Sequence, residues 1–360
     1  MPLECAGDRG NLKYRPRRLV LQWHITERCN FRCAHCYQES YCGSELSFQD
    51  LLAVLEQYKD LLNRWDLQPG SPRVRAHINV TGGEPFVRSD FFDLLEVLNK
   101  NKDRFSFGIL TNGSLIDAAT ARRLRALGPA YVQVSVEGTR AANDAIRGPT
   151  AYDRTVSGLK HLAREGIRTA ISFTAQRSNF REFGDVARLG RELRVNRVWS
   201  DRLIPSGNGA AIREEMLSPE ETREFFEIMH RAHGEAMRCF CRTNIDMIRA
   251  LQFLVAGGTP YHCNAGDSLV VVQPNGDLYP CRRMPISVGN LMDTPLAQLY
   301  YESDLFQALR DRDRIPEGCR ACRYGRSCGG GLRCLAYAVT GDPFTPDPGC
   351  WRVASTSDAA

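Results

Sequence analysis

The sequence predicts an α/β protein: an open partial barrel of six β/α units followed by a small cysteine-rich domain. Three observations carry this. Strand-like and helix-like segments alternate six times between about residues 18 and 205. The alternation stops near residue 235, and from 260 onward the chain is short-worded and rich in Gly, Pro and Cys. With 360 residues, two domains are the expectation.

The strands come first. Apolar, β-branched-rich runs lie at Leu19–Ile25, Val74–Thr81, Phe105–Leu110, Tyr131–Val136, Ile167–Phe173 and Arg197–Leu203. Helical patterns stand between them, beginning with Phe48–Trp65, where Ser47 is the expected N-cap and Asp50 completes a capping box. Phe91–Asn99, Ala118–Leu127, Thr155–Glu165, Phe180–Leu193 and Pro219–Ala232 follow. Such alternation means parallel strands with right-handed crossovers. A TIM-like barrel closes with eight units, so six make a partial (β/α)6 barrel, with chemistry expected at the C-terminal strand ends. The expected layout is an N-terminal arm at 1–17, the barrel at 18–215, linker helices at 216–259, the cysteine-rich domain at 260–355 and a frayed tail at 356–360. That fourth segment cannot bury much core and would need metal to hold it.

Composition narrows the function. The chain is 43% hydrophobic and 25% charged, with 47 Lys+Arg against 42 Asp+Glu, a net +5. So mild a balance, with scattered arginines, argues against nucleic acid. No apolar run reaches membrane length and the N-terminus has no apolar signal segment, so a cytoplasmic protein without membrane contact is expected. The 14 cysteines are the anomaly. In a reducing compartment, clustered cysteines mean metal rather than disulfides. Cys29, Cys33 and Cys36 form one cluster, and seven more lie between 263 and 350. Cys5, Cys42, Cys239 and Cys241 fit neither spacing and read as ordinary thiols.

Cys29-Asn-Phe-Arg-Cys33-Ala-His-Cys36 follows the first strand directly. Three thiolates within eight residues wrap one face of a metal. Zinc would want a fourth ligand, which His35 could supply. A [4Fe–4S] cluster on three cysteines instead keeps one iron open for a small ligand. With Tyr37 just beyond, this C-x3-C-x2-C loop resembles the signature of the radical S-adenosylmethionine (SAM) family. Thr81-Gly82-Gly83-Glu84-Pro85 resembles that family's GGEP loop, which binds the methionine amino group. Two glycines permit close backbone approach, and a carboxylate can meet an ammonium. By the same resemblance, Ser135 or Glu137 meets the ribose, Arg147 pairs with the methionine carboxylate and the Tyr37 backbone meets adenine. A solvated Arg147 is the plain alternative, and Thr111-Asn112-Gly113 is either a turn or part of the pocket wall.

The second region reads C-x12-G-x4-C from Cys263 through Gly276 to Cys281, then Cys319-x2-Cys322-x5-Cys328, Cys334 and Cys350. This resembles the SPASM extension of the family. The resemblance implies an outer [4Fe–4S] cluster on Cys319, Cys322, Cys328 and Cys350, and an inner one on Cys263, Cys281 and Cys334, three clusters in all. The inner cluster's fourth ligand is not identifiable from the pattern. Cys328 and Cys334 are separated by five residues where the pattern has three, the surplus falling in Gly329-Gly330-Gly331.

The resemblance implies reductive cleavage of SAM to a 5′-deoxyadenosyl radical that abstracts hydrogen from the substrate, with electrons from a flavodoxin- or ferredoxin-type reductant. Sulfatase maturases carry an aspartate after the second SPASM cysteine; here Cys281 is followed by Arg282-Arg283, as in maturases of ribosomally made peptides. A precursor peptide is therefore the expected substrate, modified by a thioether, carbon–carbon or ring cross-link. Cofactor or natural-product biosynthesis, sulfatase-type maturation and a non-catalytic iron–sulfur carrier are the alternatives. About 18 residues precede the first strand, so leader recognition falls to a separate leader-binding protein or to the barrel and SPASM surfaces. Arg282 and Arg283 could steer an acidic peptide or form a solvated basic turn. No catalytic acid or base is identifiable.

Overall fold

The computed structural model describes residues 14–67, 72–239 and 241–353. Cys5, the tail at 356–360 and most of the 1–17 arm lie outside the described residues. In chain order the barrel comprises β1 (Arg18–His24), α1 (Phe48–Asp66), β2 (Arg75–Thr81), α2 (Phe91–Lys100), β3 (Ser106–Thr111), α3 (Ala118–Leu127) and β4 (Val132–Ser135). It continues with α4 (Arg140–Arg147), α5 (Ala151–Arg164), β5 (Thr169–Ala175), α6 (Phe183–Glu192), β6 (Arg197–Arg202) and α7 (Pro219–Arg238). The six expected strands pair in sequence order, all parallel.

Alternation along β1 explains the layering. Leu19, Leu21 and Trp23 are fully buried against the helices, whereas Gln22 lines the lumen and hydrogen-bonds His24 at 3.0 Å. Helix α1 covers that outer face with Leu51, Val54, Leu55, Tyr58, Leu61, Leu62 and Trp65, spaced three or four apart. Each such side chain contributes roughly 1.5–3 kcal/mol by leaving water. Its start is fixed by the Ser47–Asp50 capping box, and Ser218 with Glu221 caps α7 in the same way.

Two features were not legible beforehand. Helix α4 is short and polar, and its last residue is Arg147; it stops at Gly148, whose φ is 104°. The sheet also extends beyond six strands, through β7 (Asn244–Ile245), β8 (Leu269–Val272) and β9 (Leu278–Tyr279). Its order is β7-β6-β5-β4-β3-β2-β1-β8-β9. β8 runs parallel to β1 with Leu21 opposite Val270, and β9 returns antiparallel to β8. The cysteine-rich segment therefore begins on the same sheet as the barrel. Its remaining elements are α8 (Phe253–Ala256), α9 (Leu296–Glu302), α10 (Asp304–Arg310), α11 (Gly325–Cys328) and α12 (Arg333–Thr340). No described helix is long and apolar enough to cross a membrane.

The lumen is polar. His77 bridges Ser106 at 2.7 Å and Asn79 at 3.0 Å, and the Trp199 indole donates to Gln133 at 3.0 Å. A polar, hydrogen-bonded wall does not collapse into the packed layers that fill a closed barrel. The lumen opens instead into a cavity of about 640 Å³.

Candidate functional site

The loop of Cys29, Cys33 and Cys36 lies at the C-terminal end of β1, and all three line the cavity. Burial pushes the Cys29 thiol up to about 11, and charge on Cys33 and Cys36 adds to the rise. These thiols are close enough to oppose one another's ionisation, so shared iron would release protons on binding. Arg147 answers that charge, with Nη1 3.8 Å from the Cys33 sulfur. His35 is held by Glu137, whose carboxylate lies 3.2 Å from its Nε2, so that nitrogen is already engaged.

Gly82 and Gly83 line the cavity at the end of β2. Their small size serves the chain's own packing. A Cβ on Gly82 would lie 2.5 Å from the Thr26 carbonyl oxygen, and one on Gly83 would lie 2.4 Å from that of Arg28. The Gly83 and Glu84 N–H groups donate to those same carbonyls at 2.7 and 2.9 Å, clamping the GGEP loop to the turn that launches Cys29. Glu84 is fully buried behind the wall, with Pro85 opening the next turn. Its carboxylate accepts from Thr111 Oγ1 at 2.7 Å and from the Asn112 N–H at 2.8 Å, so Thr111-Asn112 is both turn and wall. Burial lifts the Glu84 carboxyl to about 7, against these hydrogen bonds.

Ser135 lines the cavity with its hydroxyl 3.2 Å from that of Ser172. Glu137 stands behind it, 1% exposed, and accepts from the Arg147 guanidinium and, at 2.6 Å, from the Thr174 N–H. Burial opposes its ionisation, but Arg147 and His35 outweigh that and hold its carboxyl at about 2. Arg147 is 8% exposed, which excludes the solvated alternative. Tyr37 lies in the wall below the Arg282 guanidinium, 5.2 Å from its ring centre.

The inner three cysteines, Cys263, Cys281 and Cys334, line the same cavity. A hydrogen bond from the Cys334 thiol lowers Cys281 to about 6, and Arg283 adds to that drop. Arg333, 2% exposed, has Nε and Nη1 with no hydrogen-bond partner, and Cys263 is close enough to favour its charge. A buried guanidinium with idle donors beside three thiols fits an anionic iron–sulfur cluster. Burial, then Cys350 and Cys322, lift Cys319 to about 11, while burial lifts Cys328 to about 12 with Cys350 contributing, so the outer four also converge. The irregular spacing has a structural basis. Gly329, Gly330 and Gly331 have φ of 63°, 92° and 81°, and side chains there would strike His262, Pro316 and Asp347.

Three functional features escaped sequence reasoning. Arg202 and Asp347 form a buried two-pronged ion pair at 2.9 and 2.6 Å, fastening β6 to the last cysteine loop. Asp201 pairs with both Arg249 and Arg283, so Arg283 is no solvated turn residue. Cys239 and Cys241, read as ordinary thiols, are joined as a disulfide.

An open barrel with three clustered thiols at one strand end, sharing a cavity with further clustered thiols, points to an iron–sulfur enzyme using SAM. The family models agree. Residues 23–190 match the Radical SAM superfamily and residues 263–323 the SPASM iron-sulfur cluster-binding domain. The chain belongs to the radical SAM superfamily and carries a SPASM domain. It is 31% identical to the mycofactocin maturase MftC of Mycobacterium ulcerans, covering 92% of this chain and 87% of that one. It is 26% identical to the AdoMet-dependent heme synthase of Nitratidesulfovibrio vulgaris, covering 92% and 91%. In fold it matches Streptococcus suis SuiB bound to S-adenosylmethionine, with a TM-score of 0.72 at 17% identity over 93% and 77% of the two chains. SuiB has also been solved bound to its precursor peptide SuiA.

Proposed function

We propose that this radical SAM enzyme modifies a ribosomally made precursor peptide, installing a cross-link such as a thioether or carbon–carbon bond. The observation that carries the reading is one cavity lined both by Cys29, Cys33 and Cys36 and by Cys263, Cys281 and Cys334. A substrate seated there stands between the radical source and an electron acceptor. The maturase relatives support the reading, and at the level of fold alone so does the peptide-bound neighbour. The heme-synthase relatives favour a second reading, a carboxylate-bearing tetrapyrrole in the same cavity.

Three [4Fe–4S] clusters belong to the proposal: one on Cys29, Cys33 and Cys36, one on Cys263, Cys281 and Cys334, and one on Cys319, Cys322, Cys328 and Cys350. When bound, the first cluster with SAM supplies the 5′-deoxyadenosyl radical that abstracts substrate hydrogen. The chain's own residues place and shield that chemistry. The Gly82 and Gly83 backbone receives the methionine ammonium, with the Glu84 carboxylate as the negative charge behind it. Ser135 meets the ribose, the Tyr37 backbone meets adenine, and Arg147, steadied by Glu137, faces both the cluster thiolates and the methionine carboxylate. A flavodoxin- or ferredoxin-type protein delivers the electron, and a separate leader-binding protein presents the peptide.

The test is to incubate reduced, reconstituted enzyme and SAM with short precursor peptides encoded beside its gene. Hydrogen loss from a peptide, in step with 5′-deoxyadenosine, is the expected result by mass spectrometry. Turnover of a tetrapyrrole with every such peptide untouched would overturn the peptide reading.

A further inference from the structure

Three guanidinium groups, those of Arg249, Arg282 and Arg283, line the cavity that Cys29, Cys33 and Cys36 share with Cys263, Cys281 and Cys334. A single carboxylate, that of Asp201, answers two of them. Asp201, 8% exposed, pairs with Arg283 at 2.8 Å and with Arg249 in a closer contact. Arg249 is held by aromatic faces, 5.1 Å from the Trp199 ring centre and 5.4 Å from that of Tyr261, yet its buried Nε has no hydrogen-bond partner. Arg282 lies half-buried over Tyr37, and among the described residues no carboxylate pairs with it. His24 nearby offers no negative charge, and burial together with Arg282 keeps its ring neutral.

The bound cofactors do not cancel this excess. A cluster on the inner cysteines meets Arg283, whose thiol neighbours are Cys334 and Cys281, and Arg333 beside Cys263. SAM carries a sulfonium and an ammonium against one carboxylate, so it adds net positive charge to the cavity. Partly buried, unpaired positive charge in a low-dielectric pocket is unfavourable until an anion arrives. A guanidinium with a free face presents two parallel N–H donors, the complement of a carboxylate.

We propose that Arg282, with Arg249 and Asp201-paired Arg283 behind it, forms an anion subsite that fixes a carboxylate of the substrate between the SAM pocket and the inner cysteines. The proposal deepens the functional reading above and rests on its placement of substrate in this cavity. The carboxylate is that of an acidic residue or C-terminus in a peptide, or of a propionate side chain in a tetrapyrrole. By fixing the carboxylate, Arg282 sets which neighbouring carbon faces the radical, which makes it a positioning and specificity residue.

The experiment measures binding to reconstituted, SAM-loaded full-length enzyme with two matched probe pairs. One pair is acetyl-triglutamate amide and its triglutamine counterpart; the other is coproporphyrin III and its tetramethyl ester. Wild-type enzyme is expected to bind the carboxylate member of at least one pair tenfold or more tighter than its uncharged counterpart. In R282Q that preference falls below about threefold, R282K recovers part of it, and R164Q, which removes an exposed charge on α5, leaves it intact. Iron content and circular dichroism of each variant exclude misfolding. No carboxylate preference in wild type, or one that survives in R282Q, overturns the proposal. So does a fall in SAM affinity with the preference intact, which would give Arg282 to the methionine carboxylate. A response confined to the porphyrin pair upholds the subsite while counting against the peptide reading, so the two fail separately.

Discussion

The barrel rim and the last cysteine loops hold the same kind of chemistry by different means. At the rim, each polar side chain is fixed by the protein. Glu84 is bonded to Thr111 and Asn112, Glu137 to Arg147, His35 and Thr174, and the GGEP loop is clamped to the Thr26–Arg28 backbone. All of it stands on the ends of parallel strands with a continuous apolar layer behind. Between residues 313 and 353 there is no strand among the described residues, α11 spans four residues and α12 eight. Three consecutive glycines there take left-handed backbone, and the buried Arg202–Asp347 pair ties the segment to the barrel. Hydrogen bonds within the protein fix the rim, whereas the outer loops have no described strand to fix them, so a cluster there is expected to matter more for closure. Preorganisation by a sheet costs nothing at binding; closure by a cluster makes metal affinity part of folding.

The largest expected effect breaks the two regions apart. Replacing Cys29, Cys33 and Cys36 with Ala should remove about four irons and abolish 5′-deoxyadenosine formation. Because the rim is protein-organised, circular dichroism and melting should change little. Replacing Cys319 with Ala should do the reverse: a clear loss of stability and solubility, with some uncoupled 5′-deoxyadenosine retained. Iron analysis and calorimetry on the two variants check both, and equal destabilisation would erase the contrast.

Asp347→Ala sharpens it. Arg202 is 3% exposed on its side chain, and its partner's loss strands a buried cation while orphaning the N–H groups of Leu332 and Gly349, which Asp347 receives at 2.9 Å each. Breaking such a pair costs about 3–5 kcal/mol. Urea unfolding should show that loss, and limited proteolysis should cut first after α12.

The smallest effect concerns the rim alone. Burial disfavours the charge of the Glu84 carboxyl and pushes it up to about 7 in the folded protein. Its folded value is raised above the ordinary carboxylate range near 4.3, so its contribution to stability is present at low pH. That contribution is lost as pH rises from about 4.3 through 7. An arriving ammonium favours the ionised form, so SAM should bind about two- to tenfold tighter at pH 8 than at pH 6, releasing a proton. Calorimetry in buffers of different ionisation heat measures both. Glu84→Gln should flatten the dependence, and a flat wild-type profile would sever Glu84 from the ammonium.

Local signals made much of this legible. The six strands, the capping box at Ser47 and the spacing of ten cysteines are patterns within a few residues of one another, governed by period, caps and ligand reach. The short polar α4 was missed because eight residues carry too little periodicity, and β8 because four residues amid Gly and Pro read as loop.

What the sequence by itself determined, then, was the order of the six barrel strands, the family and the groups of thiols. Tertiary structure alone decided who answers their charge. Arg202 meets Asp347 across 145 residues, Arg249 and Arg283 converge on Asp201, and Glu137 is turned from the cavity to hold Arg147. Such pairings have no local period. They form because desolvation inside the fold makes an unpaired charge too unfavourable to leave alone, and only the folded chain determines which charges are buried side by side.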